Sequence, residues 1–324
     1  MSFLEFGNEK IKYGDTAVVY LNPKSIFVQK VEQGKVFQTK FGAMKHDSIV
    51  GQLYGSKFQC TKGYVYLLKA TPELWTICLP HRTQILYFPD ISLITTFLEL
   101  RPGSLVVEAG TGSGSMTHSL ARTVAPTGHV YTFDFHEVRS LEARKEFEDH
   151  GLGHIVTTAH RDVCESGFPE ELDNRANGLF LDLPHPWECI PKAKKVLKKG
   201  GRICCFSPCI EQVQKSCLAL SENQFLDVCT YECVLKPYEI RNLDMKILDF
   251  GDNNKCVAQE QETSNAESNE NGSCIEEEES SVMKKGESDH VTKGEKKVKS
   301  YFATFPSLSI AGHTGFLSFA TKSF

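Results

Sequence analysis

Residues 106–122 read VVEAGTGSGSMTHSLAR, an apolar run followed by glycine at positions 110, 112 and 114 and then by a helical stretch. Glycine lacks a Cβ, so the backbone can turn sharply and approach a ligand closely, and a helix beginning there offers unpaired N–H groups. The spacing is not that of a dinucleotide fingerprint. G-x-G-x-x-G would need glycine at 115, which is Ser, or at 117, which is Thr. The pattern points to a nucleoside site without a phosphate cradle, at the end of the first strand of an open parallel sheet.

The flanking sequence supplies that sheet. The apolar runs SLVVEAG, HVYTFDF, HIVTTAH, GLFLDL and RICCFSP alternate with the helical stretches SMTHSLARTV, VRSLEARKEFEDH, ECIPKAKKVLKK and IEQVQKSCLAL. A further helix, ISLITTFLEL, is predicted before them, with Asp90 as its cap and Arg101-Pro102-Gly103 as its end. This alternation predicts a doubly wound α/β sheet with helices on both faces. Three acidic residues then fall at successive strand ends: Glu108 before the glycine turn, Asp134 in YTFDF and Asp162 in HRDV. Asp134 stands where a carboxylate would accept from ribose hydroxyls, and Asp162 where one could reach an exocyclic amine. A fourth, Asp182, ends the next strand and precedes the stiff turn Leu183-Pro184-His185-Pro186-Trp187.

Before Leu86 the pattern is β-like, with DTAVVYL, SIFVQKVE, the turn Gln33-Gly34, KVFQTKF and YVYLLKA, so residues 1–80 are predicted as a small β-rich domain. Residues 81–250 and 301–324 are predicted to form the α/β domain. Residues 251–300 have no apolar period and carry the run Glu276 to Glu279, as expected of a disordered insertion between the last two strands. HTGFLSFATK (His313 to Lys322) returns as a strand.

The net charge of −5 is uneven. Residues 1–82 hold 11 basic and 6 acidic side chains, residues 83–250 hold 17 and 23, and residues 251–300 hold 7 and 12. The insertion therefore accounts for the whole deficit, and the overall sign does not exclude RNA, whose phosphates would favour the basic N-terminal module. No apolar run approaches the length of a membrane span and the start MSFLEFGNEK lacks a signal-peptide pattern, so an intracellular protein without a membrane partner is expected. The 12 cysteines include no C-x-x-C pair, so free thiols and no metal site are expected.

E-x-G-x-G-x-G with the acidic strand ends resembles the class I S-adenosylmethionine methyltransferases. LPHRTQILY (Leu79 to Tyr87), RPGSLVVEAGTGSGS, RDVCESGF, DLPHPW, SPCIEQVQ and HTGFL, in this order, resemble the catalytic subunits of eukaryotic tRNA (adenine-58-N1)-methyltransferases. The resemblance covers residues 1 to about 245 and 311–322. It implies a Rossmann-like sheet, mostly parallel with its last strand antiparallel, and S-adenosylmethionine as cofactor. By that likeness Leu86, Gly110, Gly112, Ser113, Gly114, Ser115, Arg139 and Val163 would join Glu108, Asp134 and Asp162 around the cofactor. Gln84, Tyr87, Pro184, Trp187, Ser207, Gln212 and His313 would face the substrate. Asp182 would be catalytic, accepting from the adenine N6 amine and countering the charge that develops on the methylated base. The resemblance also implies tRNA as substrate, with messenger RNA open as a second. It further implies a homologous non-catalytic subunit in a two-plus-two heterotetramer, and the nucleus as location. Asp134 stands where the family usually has Glu, and His185 where a smaller residue is usual.

Two other readings remain at this level. A non-catalytic RNA-binding subunit could keep the fold, although it would have no need of Gly110, Gly112, Gly114 and Asp182 together. An NAD-dependent oxidoreductase is disfavoured by the missing third glycine of its fingerprint.

Overall fold

A computed structural model describes residues 10–80, 83–246, 298–309, 312 and 314–323. The chain divides into two compact units, residues 236–310 and the remainder, so the N-terminal β structure belongs with the α/β domain.

The N-terminal part contains β1 (Thr16–Asn22), β2 (Ser25–Lys30), β3 (Val36–Thr39), β4 (Gly42–Lys45), the short α1 (His46–Ile49), β5 (Lys57–Cys60), β6 (Gly63–Lys69) and α2 (Pro72–Cys78). Strands pair in the order β2-β1-β6-β5, all antiparallel, and β3 pairs with β4 as a hairpin. Ala17 and Val19 of β1 face the module's own core with Met44, Val65 and Leu67, whereas Val18 points the other way into the large α/β core. Both faces of this strand are buried, which is why Ala17-Val18-Val19 shows no polar alternation. Helix α2 was not foreseen. Its signals were nonetheless present: Thr71 accepts from the Leu74 amide at 3.3 Å as N-cap, and Pro72 opens the helix.

The α/β part runs α3 (Phe88–Phe97), β7 (Leu105–Ala109), α4 (Ser115–Val124), β8 (His129–Asp134), α5 (Glu137–Asp149), β9 (Val156–His160), α6 (Val163–Ser166), a 3-10 turn, β10 (Ala176–Leu181), α7 (Pro186–Val196), β11 (Leu197–Ser207), α8 (Ile210–Glu222) and β12 (Phe225–Glu232). After β13 (Tyr238–Lys246) and β14 (Val298–Pro306) comes β15 (Phe316–Lys322). The sheet order is β12-β15-β11-β10-β7-β8-β9. Strands β7 to β11 pair in parallel, as the βαβ alternation predicts, and β15 lies antiparallel between β11 and β12, as the family resemblance implies. The chain leaves β7 for β8 and β9 and returns on the other side at β10. That reversal opens a crevice at the carboxyl ends of β7 and β10, where open α/β sheets bind ligands.

Two expectations are corrected. Asp90 does not cap α3: Tyr87 is the N-cap, and Asp90 lies buried in the first turn, accepting from Thr314 Oγ1 at 2.7 Å. The long insertion falls between β13 and β14 rather than between the last two strands, and its last residues, 298–300, begin β14. Residues 251–297 of the expected insertion lie outside the described residues. The β13–β14 hairpin was missed because every residue of β13 is exposed. A strand with no buried face has no hydrophobic alternation to read.

Candidate active site

The glycine turn is held from two sides. Gly110 has φ +99°, and a Cβ built there would lie 2.1 Å from the carbonyl oxygen of Asp182. The Asp182 amide in turn donates to Ala109 O at 2.9 Å, so the two strand ends touch backbone to backbone. At Gly112, φ is +53° and a Cβ would meet Thr83 Oγ1 at 2.7 Å. The Gly112 amide donates to Asp134 Oδ2 at 3.0 Å. A cavity of about 800 Å³ opens beside this turn and carries Asp134, Asp162 and Asp182 on its wall.

Asp134 is buried, and its Oδ1 accepts from the His136 amide at 2.8 Å and from Arg139 Nη2 at 2.9 Å. Asp162 also serves the ordinary structural role of a cap: its Oδ1 accepts from the Cys164 and Glu165 amides at 2.9 and 3.2 Å, at the start of α6. Asp182 is half-buried, and loss of hydration pushes its carboxyl up to about 6. Among the described residues, the two guanidinium groups of the wall are engaged with the protein: Arg139 with Asp134, and Arg161 with the carbonyls of Gly167 and Ser166. Among the described residues the wall thus offers acceptors for hydroxyls, an amine or a cation rather than a phosphate cradle.

Of the residues singled out from the sequence, Gln84, Gly110, Gly112, Asp134, Arg139, Asp162, Val163, Asp182, Pro184 and Gln212 line this cavity. Others stand behind the wall. Ser113 Oγ accepts from the Thr83 amide at 3.1 Å, and Ser115 Oγ bonds Thr76 Oγ1 at 2.8 Å and donates to Leu86 O at 3.2 Å. Gly114 begins α4 with φ +75° over the Phe147 ring. Tyr87 is the exposed cap of α3, and Trp187 packs under Lys215 Nζ, 4.6 Å above its ring. Ser207 is fully buried with no partner for its Oγ among the described residues. Gln212 ties two turns together, donating from Nε2 to Pro184 O at 3.0 Å and accepting from the Cys209 amide at 3.4 Å. His313 lies outside the described residues. The wall also contains Thr83, Cys164, Glu188, Phe206 and Thr314, which the sequence did not single out, and His185. Thr83 falls inside the LPHRTQILY stretch, which was its available signal.

Glu108 is fully buried behind the turn, accepting from Thr117 Oγ1 at 2.6 Å. Burial pushes its carboxyl up to about 7. A carboxyl raised in the folded state stabilises the protein less as pH climbs from the unfolded value, near 4.5, to the folded one, and the deficit is complete above 7. Glu108→Gln should therefore gain stability relative to the parent on going from pH 5 to pH 8, by about 3 kcal/mol. Urea unfolding at the two pH values measures it, and an unchanged difference would mean that Glu108 is not protonated near neutrality.

This sheet order, with a glycine turn and an acidic residue at the end of the neighbouring strand, defines a class I S-adenosylmethionine-dependent methyltransferase fold. A family profile described as "tRNA methyltransferase complex GCD14 subunit" matches residues 63–322, and the chain belongs to this family. It is 39% identical over 335 residues to the tRNA (adenine(58)-N(1))-methyltransferase catalytic subunit TRM61 of Candida albicans, covering 99% of each chain. To the corresponding catalytic subunit of Dictyostelium discoideum it is 45% identical over 238 residues, 72% of this chain and 76% of that one. Among solved structures, a tRNA (m1A58) methyltransferase, TrmI, from Aquifex aeolicus superposes with TM-score 0.66 at 20% identity, covering 97% of this chain and 99% of that chain. A SAM-dependent O-methyltransferase from Thermotoga maritima gives 0.72 at 24% identity, covering 98% and 96%. At those identities the structures speak for the fold.

Proposed function

We propose that this chain is the catalytic subunit of a tRNA (adenine(58)-N(1))-methyltransferase, acting in the nucleus with a homologous non-catalytic subunit in a two-plus-two assembly. The observation that carries the reading is the placement of Asp182 against the Gly110 backbone on the wall of a cavity that also presents Asp134 and Asp162. A subunit that kept only the fold would have no use for that convergence.

The residues present fit S-adenosylmethionine. A cavity of about 800 Å³ is of ligand size, and its glycine edge would be filled by any Cβ. Asp134 would hold the ribose hydroxyls and Asp162 the exocyclic amine, with Val163 against the base and the turn around Gly112 against the remainder. When bound, this cofactor supplies a methyl group activated by a sulfonium. The chain's own residues do the rest. N1 lies on the Watson–Crick edge of adenine, so the target base must leave its stack to present that edge inside the cavity. N1 attacks with a neutral lone pair, so no proton has to leave first. Asp182 accepts from the N6 amine, which orients the ring, and its charge stabilises the cationic 1-methyladenine as it forms. Pro184 and Gln212 keep the turn that carries Asp182 rigid.

The deciding assay combines the purified chain, its partner subunit, unmodified tRNA and labelled S-adenosylmethionine, and expects 1-methyladenine in the T loop. A chain that does not bind S-adenosylmethionine in a titration would instead be the non-catalytic RNA-binding subunit.

A further inference from the structure

Behind the glycine turn lies a buried pair of imidazoles that the proposed reaction does not use. His118, in the first turns of α4, and His150, at the end of α5, are 1% and 5% exposed. His118 Nδ1 lies 2.7 Å from the carbonyl oxygen of Gly114, the last glycine of the turn. His118 Nε2 lies 2.9 Å from His150 Nδ1. Trp75 of α2 packs edge-on against His150 at 4.6 Å and near His118 at 5.6 Å, and the Phe147 ring sits beneath Gly114.

With both rings neutral, the two short contacts of His118 assign the protons of this pair. A carbonyl oxygen only accepts, so His118 Nδ1 carries the hydrogen. In a neutral ring Nε2 is then a bare acceptor, and its partner, His150 Nδ1, must donate. Burial, the largest cause, holds the His150 imidazole down to about 2, so it stays neutral across the working range. The Glu146 carboxylate stands close enough to both imidazoles that three metal-ligating atoms fall within 4.8 Å of one another. The nitrogen pair, however, is already at hydrogen-bond distance with a consistent set of donors and acceptors, which needs no ion.

We propose that His118 and His150 are positioning residues for the cofactor turn: His150 fixes the tautomer of His118, and His118 holds the Gly114 carbonyl and with it the backbone from Gly110 to Ser115. The tautomer is the point of control. Without a donor from position 150, the His118 hydrogen is free to move to Nε2. Nδ1 then turns a lone pair toward the Gly114 oxygen, and attraction becomes repulsion. The proposal rests on the reading of this turn as the seat of S-adenosylmethionine.

Two substitutions at position 150 separate positioning from packing. His150→Phe keeps the ring against Trp75 and loses the donor. His150→Asn loses the ring and keeps an N–H on Cγ, where Nδ1 stood. Calorimetric titration of the intact chain with S-adenosylmethionine should show His150→Phe weakened about tenfold, equivalent to about 1.4 kcal/mol, and His150→Asn within about threefold of the parent. The opposite order, with Phe tolerated and Asn weak, would make the pair a packing feature and overturn the proposal. Imidazole nitrogen shifts by NMR, which need no cofactor, should show the Nδ1–H form of His118 in the parent and its loss in His150→Phe; an Nε2–H form in the parent would also overturn it. So would a stoichiometric metal in the purified protein whose chelation weakens binding, because both inner nitrogens would then be ligands. If even the parent fails to bind S-adenosylmethionine, the cofactor reading fails, and the tautomer measurement still decides the imidazole pair.

Discussion

Asp182→Ala should retain S-adenosylmethionine binding and lose about 10³-fold in turnover, with Asp182→Asn losing about 10²-fold. The two differ because asparagine still accepts from the N6 amine through its oxygen but carries no charge. At about 4 Å and an effective dielectric near 20, a carboxylate and a developing cation attract by roughly 4 kcal/mol before desolvation. Only the part that is stronger in the transition state than in the bound substrate accelerates the reaction. Adenine is neutral when bound and positive when methylated, so most of the charge term belongs to that part. The same carboxyl sets the pH dependence. Burial raises it to about 6, so at pH 7.5 it is ionised and competent, and below 6 it protonates and loses the charge. In single-turnover assays kcat/KM for tRNA should fall about tenfold per pH unit below 6 in the parent, and this limb should vanish in Asp182→Asn. Asp182→Asn turning over at the parental rate would remove Asp182 from the chemistry.

The sheet was legible because strands β7, β10 and β11 are buried on both faces and therefore read as apolar runs such as LVV and GLFL. Asp134 and Asp182 were legible for a related reason: the last residue of such a run must emerge at the carboxyl edge, where the crevice is. What the pattern could not specify is which way a side chain in an irregular turn points. Ser113 and Ser115 flank Gly114, yet neither lines the cavity: their hydroxyls bond Thr83, which does, and Thr76. Thr314 and Phe206 reach the wall from the amino end of β15 and the carboxyl end of β11, and they meet there only because β15 inserts beside β11. Asp90 reads locally as a cap, but Thr314, 224 positions away, takes its carboxylate. Contacts of that separation are set by topology and leave no trace in a local window.

The closeness of the two strand ends at Gly110 gives the second large effect. Gly110→Ala should lose more than 10²-fold in S-adenosylmethionine affinity and several kcal/mol of stability. Two costs combine. A side chain at φ +99° is strained by about 1–3 kcal/mol wherever it occurs. Here the new methyl would also sit 2.1 Å from the Asp182 carbonyl oxygen, a backbone atom that cannot rotate away. Relief requires β7 and β10 to part at their carboxyl ends, which moves both the glycine turn and Asp182. Gly34→Ala isolates the first cost: its φ is +73°, and a Cβ there meets nothing within 4 Å. That variant should lose about 1–2 kcal/mol in urea unfolding and bind S-adenosylmethionine like the parent. If Gly110→Ala matched Gly34→Ala in both measurements, the contact between the turns would have no part in shaping the site. If affinity fell without the larger loss of stability, the turn could adapt alone, and Asp182 would keep its place and its turnover at saturating cofactor. The expected result is that affinity, turnover and stability fall together, because one backbone contact carries the cofactor turn and the catalytic carboxylate.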